Sequence, residues 1–405
     1  MATYAYKVRD KQGQLVEGTI EADNEALVAA RLREMGFALI AIDQQNESAL
    51  KKEIKIPGFG DKVKLKDLSI FSRQFATMIN SGLSLMRALH ILGDQTENPA
   101  LARIIGEVST AVERGESLSD AISKHPKVFD RLYVAMVRAG ETGGVLDQVL
   151  MQLADTIEKQ VALRAKIKSA MTYPVAVLVL VVFILAGMLI FVVPMFESMY
   201  SELGGTLPMP TRILLGASGF VTSYILFIMV GAGVAVFAFK KWKATPAGLA
   251  QWDAISLKAP VFGGLLHKTS IVRFARTMES LLRAGVPILE SLEITSETVG
   301  NAVMERAVDD IQQRVKQGES LAAPMSDHEI FPAMVTQMLA VGEETGAVDT
   351  MLDRVGAFYE AEVEATVDAL TSLLEPLLIV VLGGTVGGMV VALYMPMFNI
   401  VNLIE

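Results

Sequence analysis

The chain of 405 residues contains no cysteine. Disulfides, thiol nucleophiles and cysteine-ligated metals are thereby excluded, and the redox compartment is left undecided. No long basic block occurs either, and the formal net charge is −9. Nucleic acid is not an expected partner for such a charge balance. The opening residues, MATYAYKVRDKQG, hold no apolar core, so a cleavable signal peptide is not expected there.

Apolar residue types make up 52% of the chain, and the mean hydropathy is +0.42. Three uncharged runs carry the excess. They are Val175–Val193, Ile213–Phe239 and a stretch that begins at Pro376 and includes LLIVVLGGTVGGMVVALYM. Each approaches or exceeds the roughly 20 residues that cross about 30 Å of hydrocarbon at about 1.5 Å per residue. A buried core helix of that length normally shows a polar stripe, and these show none. Orientation follows from the basic flanks. Lys159, Arg164, Lys166 and Lys168 precede the first run, and Lys240, Lys241 and Lys243 follow the second. Between those two runs only Arg212 is basic. The N-terminal region and the segment from Lys240 to Glu375 are therefore expected in the cytoplasm, and the C-terminus outside.

The chain also contains itself twice. Phe71, Arg73, Gly82 and Leu89 fall on Phe274, Arg276, Gly285 and Leu292 at an offset of 203. GESL at Gly115–Leu118 meets GESL at Gly318–Leu321 at that same offset. One residue is then lost, and Phe129 meets Phe331, Asp147 meets Asp349, Pro174 meets Pro376 and Pro194 meets Pro396 at 202. GETGG, Gly140–Gly144, faces GEETG, Gly342–Gly346. A register held this long marks a duplication.

The repeated unit reads as helical. Leu101, Ile104, Ile105, Val108 and Val112 follow the spacing of one helix face, and Met304, Ala307, Val308, Ile311 and Val315 repeat it. Asn98 before Pro99 and the matching Asn301 read as N-caps. Ser117 and Ser320 read as caps of a further short helix. Gly82 and Gly285 each suit the left-handed residue that closes a helix. Each unit then feeds a long helix, Gly144–Val193 or Ala347–Met395 in outline, with Pro194 and Pro396 expected to halt it at the outer surface.

The expected organisation is mainly α, an integral membrane protein. A small N-terminal α+β unit spans 1–45, with a hairpin, a helix capped by Asp23 or Asn24 that runs to about Met35 and stops at Gly36, and a returning strand. A polar linker covers 46–64. The first cytoplasmic helical domain is 65–171 and the first transmembrane helix 172–194. A short external loop, 195–212, leads to the second span, 213–239. A cytoplasmic connection, 240–266, precedes the second helical domain, 267–374, the third span, 375–396, and an external end, 397–405.

Chemistry is sparse. GGLLHKTS at Gly263–Ser270 hints at a nucleotide loop, but His267 stands where glycine is needed. His90, His125, His267 and His328 show no ligand spacing and read as surface or helix-cap residues. No local motif suggests a Ser, His and Asp set. The runs hold no charged residue, which disfavours an ion-coupled transporter. Gly383 with Gly387, and Gly384 with Gly388, make overlapping GxxxG pairs that favour close helix association. Glu141 and Glu343 are expected to cap the long helix or to hold it against a partner. A metal at these carboxylates stays open, with no ligand spacing in its favour.

Taken together, FSRQFATMINSGLSL from Phe71 and its copy, the two GESL turns, GETGG with GEETG, TYP at Thr172–Pro174 and the VPMF and MPMF ends are specific. On these the chain resembles, over nearly its whole length, the inner-membrane platform proteins of type IV pilus assembly and type II secretion, the PilC and GspF family. Gly82, Gly140, Glu141, Gly144, Pro174 and Pro194, with Gly285, Gly342, Glu343, Gly346, Pro376 and Pro396, occupy the matching motif positions. One departure is a first Gly-Glu turn that reads as one residue short around Thr142. The resemblance implies a protein that is no enzyme and needs no cofactor. It implies homo-oligomers that dock a hexameric assembly ATPase in the cytoplasm, pass its work to pilin or pseudopilin subunits, and sit among other inner-membrane assembly proteins. A transporter made of two repeats is disfavoured by the unpaired middle span. A membrane sensor with cytoplasmic output is disfavoured by the near absence of an external domain.

Overall fold

A computed structural model describes residues 2–9, 15–22, 25–34, 36–44, 62–202, 209–260 and 262–401. The expected caps Asp23 and Asn24, and all of the expected linker but its last three residues, lie outside these. The described residues divide into two compact units, one up to Lys62 and one from Val63 onward.

In the first unit, strands β1 (Ala2–Arg9), β2 (Leu15–Ala22) and β3 (Ala38–Gln44) form an antiparallel sheet in the order β2-β1-β3. Tyr4 and Val8, which alternate onto one face of β1, are buried with Val28 and Leu32 of helix α1 (Glu25–Glu34). Gly36 follows this helix at φ 81°.

The second unit is helical. Its first copy holds α2 (Leu65–Asn80), α3 (Leu85–Gln95), α4 (Pro99–Glu113), α5 (Leu118–Ser123) and α6 (Arg131–Gly143). It ends in α7 (Leu146–Gly187), which passes through a wide π turn at Met188–Val192 into α8 (Val193–Glu202). Helix α9 (Met209–Lys243) returns, and α10 (Pro246–Lys258) follows it. The second copy runs through α11 (Gly263–Arg283), α12 (Ile288–Thr298), α13 (Ala302–Lys316), α14 (Ala322–Met325) and α15 (Ala333–Thr345). It ends in α16 (Val348–Val401).

Local sequence explains the boundaries. The Asn98 side chain accepts from Ala100 and Leu101 N–H, and Asn301 does the same for Val303 and Met304. Helix α2 ends at Gly82, φ 84°, where Gly82 N–H reaches Ile79 O and Leu83 N–H reaches Met78 O. Gly285, φ 85°, closes α11 with the same pair of bonds, to Leu282 and Leu281. The core of each copy is built from the predicted faces. Phe71 meets Phe129 edge to face at 6.1 Å, and their equivalents Phe274 and Phe331 meet at 5.1 Å. The copies also share packing, because Leu281, Val286 and Ile294 are buried in the first copy's core.

Three helices are long and apolar enough to cross a membrane: Leu146–Phe196, Met209–Lys243 and Val348–Met395. Their apolar parts leave large side chains such as Phe183, Phe227 and Val380 more than 70% exposed, as a lipid-facing surface requires.

Several expected boundaries are corrected. Pro194 and Pro396 do not halt their helices. Backbone helix continues to Glu202 past the first and to Val401 past the second. Of the expected loop 195–212, residues 195–202 and 209–212 are helical, and of the expected end 397–405, residues 397–401 are. The connection 240–266 contains α10, and the second bundle begins at Gly263 rather than at residue 267.

The reason the prolines are tolerated lies in α9. Proline has no N–H, so each leaves a carbonyl one turn back without its helical donor. The π turn sets an i to i−5 register in which Val193 N–H bonds Met188 O, so Pro194 leaves Leu189 O orphaned. The Ser218 hydroxyl donates to that oxygen at 2.5 Å. Pro396, in an α register, leaves Ala392 O, and the Thr211 hydroxyl donates to it at 2.5 Å. Both hydroxyl residues are buried, and both belong to the middle helix. Removing both, as Ser218→Ala with Thr211→Ala, is expected to cost about 0.5–2 kcal/mol per site. Thermal unfolding in detergent would show a lower midpoint, while Thr211→Ser should behave as the parent. An unchanged midpoint in the double variant would contradict this account.

Candidate functional site

Each bundle meets its long helix at one junction, built twice from matching residues. Gly140 and Gly342 are buried, and each is where a helix of the bundle crosses the start of the long helix. A Cβ on Gly140 would stand 3.1 Å from Leu146 Cα, and one on Gly342 would stand 3.0 Å from Val348 Cα. Only a hydrogen fits at that approach. Gly144, φ 68°, and Gly346, φ 69°, then turn the chain into α7 and α16.

Glu141 and Glu343 do not cap the long helices, as the sequence led us to expect. Glu141 accepts from Leu118 N–H at 2.5 Å and Ser119 N–H at 2.9 Å. Glu343 accepts from Leu321 N–H at 2.9 Å and Ala322 N–H at 3.3 Å. Both therefore cap the short helix that follows GESL, sharing that task with Ser117 and Ser320, whose hydroxyls accept from Asp120 and Ala323 N–H. The two motifs are halves of one contact, a carboxylate held against free N–H groups. The expected shortening around Thr142 is absent. Helices α6 and α15 both have 13 residues and both end on a left-handed glycine.

A second tie lies about three turns further along the long helix. Arg73 of α2 grips Glu158 of α7 with a two-pronged contact, Nε to Oε1 at 2.7 Å and Nη2 to Oε2 at 2.6 Å, and also reaches Asp155. Arg276 of α11 grips Glu360 of α16 in the same way, at 2.8 and 2.7 Å, and reaches Asp353 at 2.6 Å. Glu158 and Glu360 are themselves in register at 202. The two ties differ in depth. The Arg276 side chain is 9% exposed against 31% for Arg73. Gly356 explains the difference, since a Cβ there would come within 2.8 Å of Arg276 Nε. The first copy has Ala154 at the matching place. Burial opposes the Arg276 charge, but the hydrogen bonds it donates to Glu360 and Asp353 outweigh it and raise its pKa. Close by, burial raises the pKa of Glu279 against the opposing pull of Arg283 and Arg276.

The remaining predicted positions are accounted for individually. Pro174 and Pro376 lie inside α7 and α16, near the start of each apolar stretch. Gly383, Gly384, Gly387 and Gly388 are exposed, and nothing in the chain stands within 4 Å of a Cβ built on any of them. Among the described residues no other helix packs on that GxxxG face. The four histidines are spread out. His90 contacts Ser109 and Glu113, His125 lies near Glu107, His267 contacts Ile330 O and His328 contacts Asp310. Among the described residues no group of three or more His, Asp or Glu is placed to hold a metal. Sequence reasoning missed Ser218, Thr211 and Asp253, whose carboxylate accepts from Ala302 N–H at 2.9 Å and fastens α10 to α13. It also missed Glu158 and Glu360, which the repeat register would have revealed.

Comparison with known proteins agrees with this duplicated architecture. The family described as Type II secretion system (T2SS), protein F matches residues 71–194 and again 274–396, and its N-terminal domain matches residues 1–43. The chain belongs to that family. The Type IV pilus assembly protein PilC of Thermus thermophilus is 44% identical over 403 residues, 99% of each chain. PilC of Myxococcus xanthus is 40% identical over all of this chain and 96% of its own. Type II secretion system protein F of Vibrio cholerae is 31% identical over the full length of both. The two matched segments start at the paired phenylalanines and end on Pro194 and Pro396.

The unequal depth of the two arginine ties has a measurable consequence. Arg276→Ala strips Glu360 and Asp353 of their buried counter-charge and is expected to destabilise by about 2–3 kcal/mol, short of the loss at a fully buried pair because both carboxylates keep part of their contact with water. Arg73→Ala, at a more exposed tie, is expected to cost about 1 kcal/mol or less. Denaturant titration of the two variants in detergent checks the order. Equal losses would contradict it.

Proposed function

We propose that the chain is the non-enzymatic platform of a type IV filament machine in the inner membrane. Its two helical bundles lie in the cytoplasm and dock a hexameric assembly ATPase. The long helices pass the resulting movement into the membrane, where pilin or pseudopilin subunits are added to a filament. Copies of the chain associate with one another and with other inner-membrane assembly proteins. The N-terminus is cytoplasmic and the C-terminus external, by the basic flanks at Lys159–Lys168 and Lys240–Lys243.

The observation that carries this reading is mechanical. Each bundle shares one unbroken helix with a candidate span, and is pinned to it by a glycine crossing and a two-pronged arginine contact. Such a helix resists bending far better than a loop, so a displacement of the bundle is carried along its axis. The names borne by relatives, in pilus assembly and in type II secretion, support the setting of the reading.

Inserting two glycines after Ile167 interrupts the long helix between the first bundle and its span. Filament assembly in cells is expected to fall at least tenfold, with membrane levels of the protein unchanged. Normal assembly by that variant would refute rigid coupling. Orientation is tested separately. A reporter active only outside the cytoplasm should work when fused after Glu405 and fail when fused after Lys258.

A further inference from the structure

Where the two copies meet, α6 and α7 of the first and α11, α12 and α16 of the second line a partly open cavity of about 130 Å³, at whose mouth Lys159 and Arg164 are exposed. That is room for about four waters, more than a packing defect. Four cations line it: Lys159 and Arg164 from α7, and Arg273 and Arg276 from α11; Arg276 is committed to Glu360 and Asp353, which leaves the other three. None of the three makes a salt bridge among the described residues, although Arg73, Arg131, Arg276 and Arg314 each hold two or more carboxylates. The one hydrogen bond of Arg273 is a long one, 3.4 Å from Nη1 to Val299 O. Burial, and then the charge of Arg164, lower its pKa, so its positive charge lies where counter-charge is lacking.

Two acidic groups lie at the cavity. Glu360 is held by Arg276, and the Asp130 carboxylate accepts from Tyr133 N–H, with burial raising its pKa and so favouring its neutral form. Lys159 feels the charge of Glu279, but Glu279 is bonded to Arg283 at 2.8 Å. Two further donors are available, because among the described residues neither the Gln160 amide nor the buried Thr277 hydroxyl has a hydrogen-bond partner. The backbone accommodates the arrangement. Gly300, φ 68°, is where a Cβ would stand 2.7 Å from Arg273 Nη1.

None of this is shared scaffolding. The positions matching Lys159, Arg164 and Arg273 in the other copy hold Ala361, Thr366 and Ile70. We infer that this cavity binds a phosphate group, with Arg273, Arg164 and Lys159 as its cationic donors and Gln160 and Thr277 as neutral ones. Guanidinium and ammonium donors converging with an amide and a hydroxyl match the several acceptor oxygens of phosphate. Because the donors come from both copies, binding stabilises their association.

The test uses the full chain in detergent, with thermal unfolding followed during titration with pyrophosphate at constant ionic strength. A second arm compares bilayer discs of phosphatidylcholine with discs containing phosphatidylglycerol. The expected result is a saturable rise in midpoint in at least one arm. A response to pyrophosphate identifies a soluble phosphate compound, and a response to phosphatidylglycerol alone identifies a lipid headgroup. Arg273→Gln should weaken the response about tenfold or more. Arg164→Gln, at an exposed residue whose loss does not threaten folding, should weaken it as well. Arg103→Gln, on another face of the first bundle, should leave it intact. No saturable rise in either arm, or a response that survives both Arg273→Gln and Arg164→Gln, overturns the inference. Neither result bears on the platform reading.

Discussion

A backbone carbonyl in hydrocarbon has no water to turn to. It must find a donor in its own helix or in a neighbouring one. That requirement organises the membrane half of this protein. Both copies carry a proline at the same place in their long helices, and both prolines strip a carbonyl of its donor. The middle helix, which has no counterpart in the duplication, supplies a hydroxyl to each. Its role is therefore more than a return path for the chain. It is the shared support on which the outer ends of both long helices depend, and the edge-to-face contact of Phe196 with Tyr394 joins those ends directly.

In the helical bundles outside the apolar spans the same duplication is held by different physics. There water is available, and specificity comes from close approach and from charge. The glycine crossings set the distance between bundle and long helix, and the arginine contacts set the register. One copy has sunk its arginine into a notch opened by Gly356, and the other has left it near the surface. A buried ion pair is costly to form and costlier to break. The second junction is thus the more sensitive of the two to any change in its carboxylates. The copies are further joined by Gln152 to Ser280, Thr156 to Ser280 and Arg131 to Glu293 and Glu297.

Much of this was legible in the sequence, and the limits are instructive. The repeat register located both bundles, the caps at Asn98 and Asn301, and the closing glycines Gly82 and Gly285, because each rests on local backbone chemistry. The apolar runs located the three long helices for the same reason. Errors arose where a local rule met a distant partner. Proline reads as a stop, and Ser218 and Thr211, lying some 180 residues or fewer from the groups they serve, read as incidental polar residues in apolar stretches. Glu141 and Glu343 sit next to the long helix in sequence, so they were assigned to it, whereas the fold brings them to a helix start 22 or 23 residues earlier. Lys159, Arg164 and Arg273 of the cavity have no twin, and a repeat register highlights only what is repeated.

The π turn at Met188–Val192 has a consequence of its own. It is present in the first long helix, and α16 passes the matching stretch in ordinary α form. The sequence register of 202 runs through this point without an insertion. A widened turn takes up one residue without advancing the spiral in step, so everything beyond it is offset by roughly 100° relative to an uninterrupted helix. The two outer ends therefore agree in their letters and disagree in phase. Identical side chains at matching positions face in different directions, and a partner that recognises one end will not find the same surface on the other. Duplication made this protein symmetric in its text, and a single wide turn left its outer ends inequivalent.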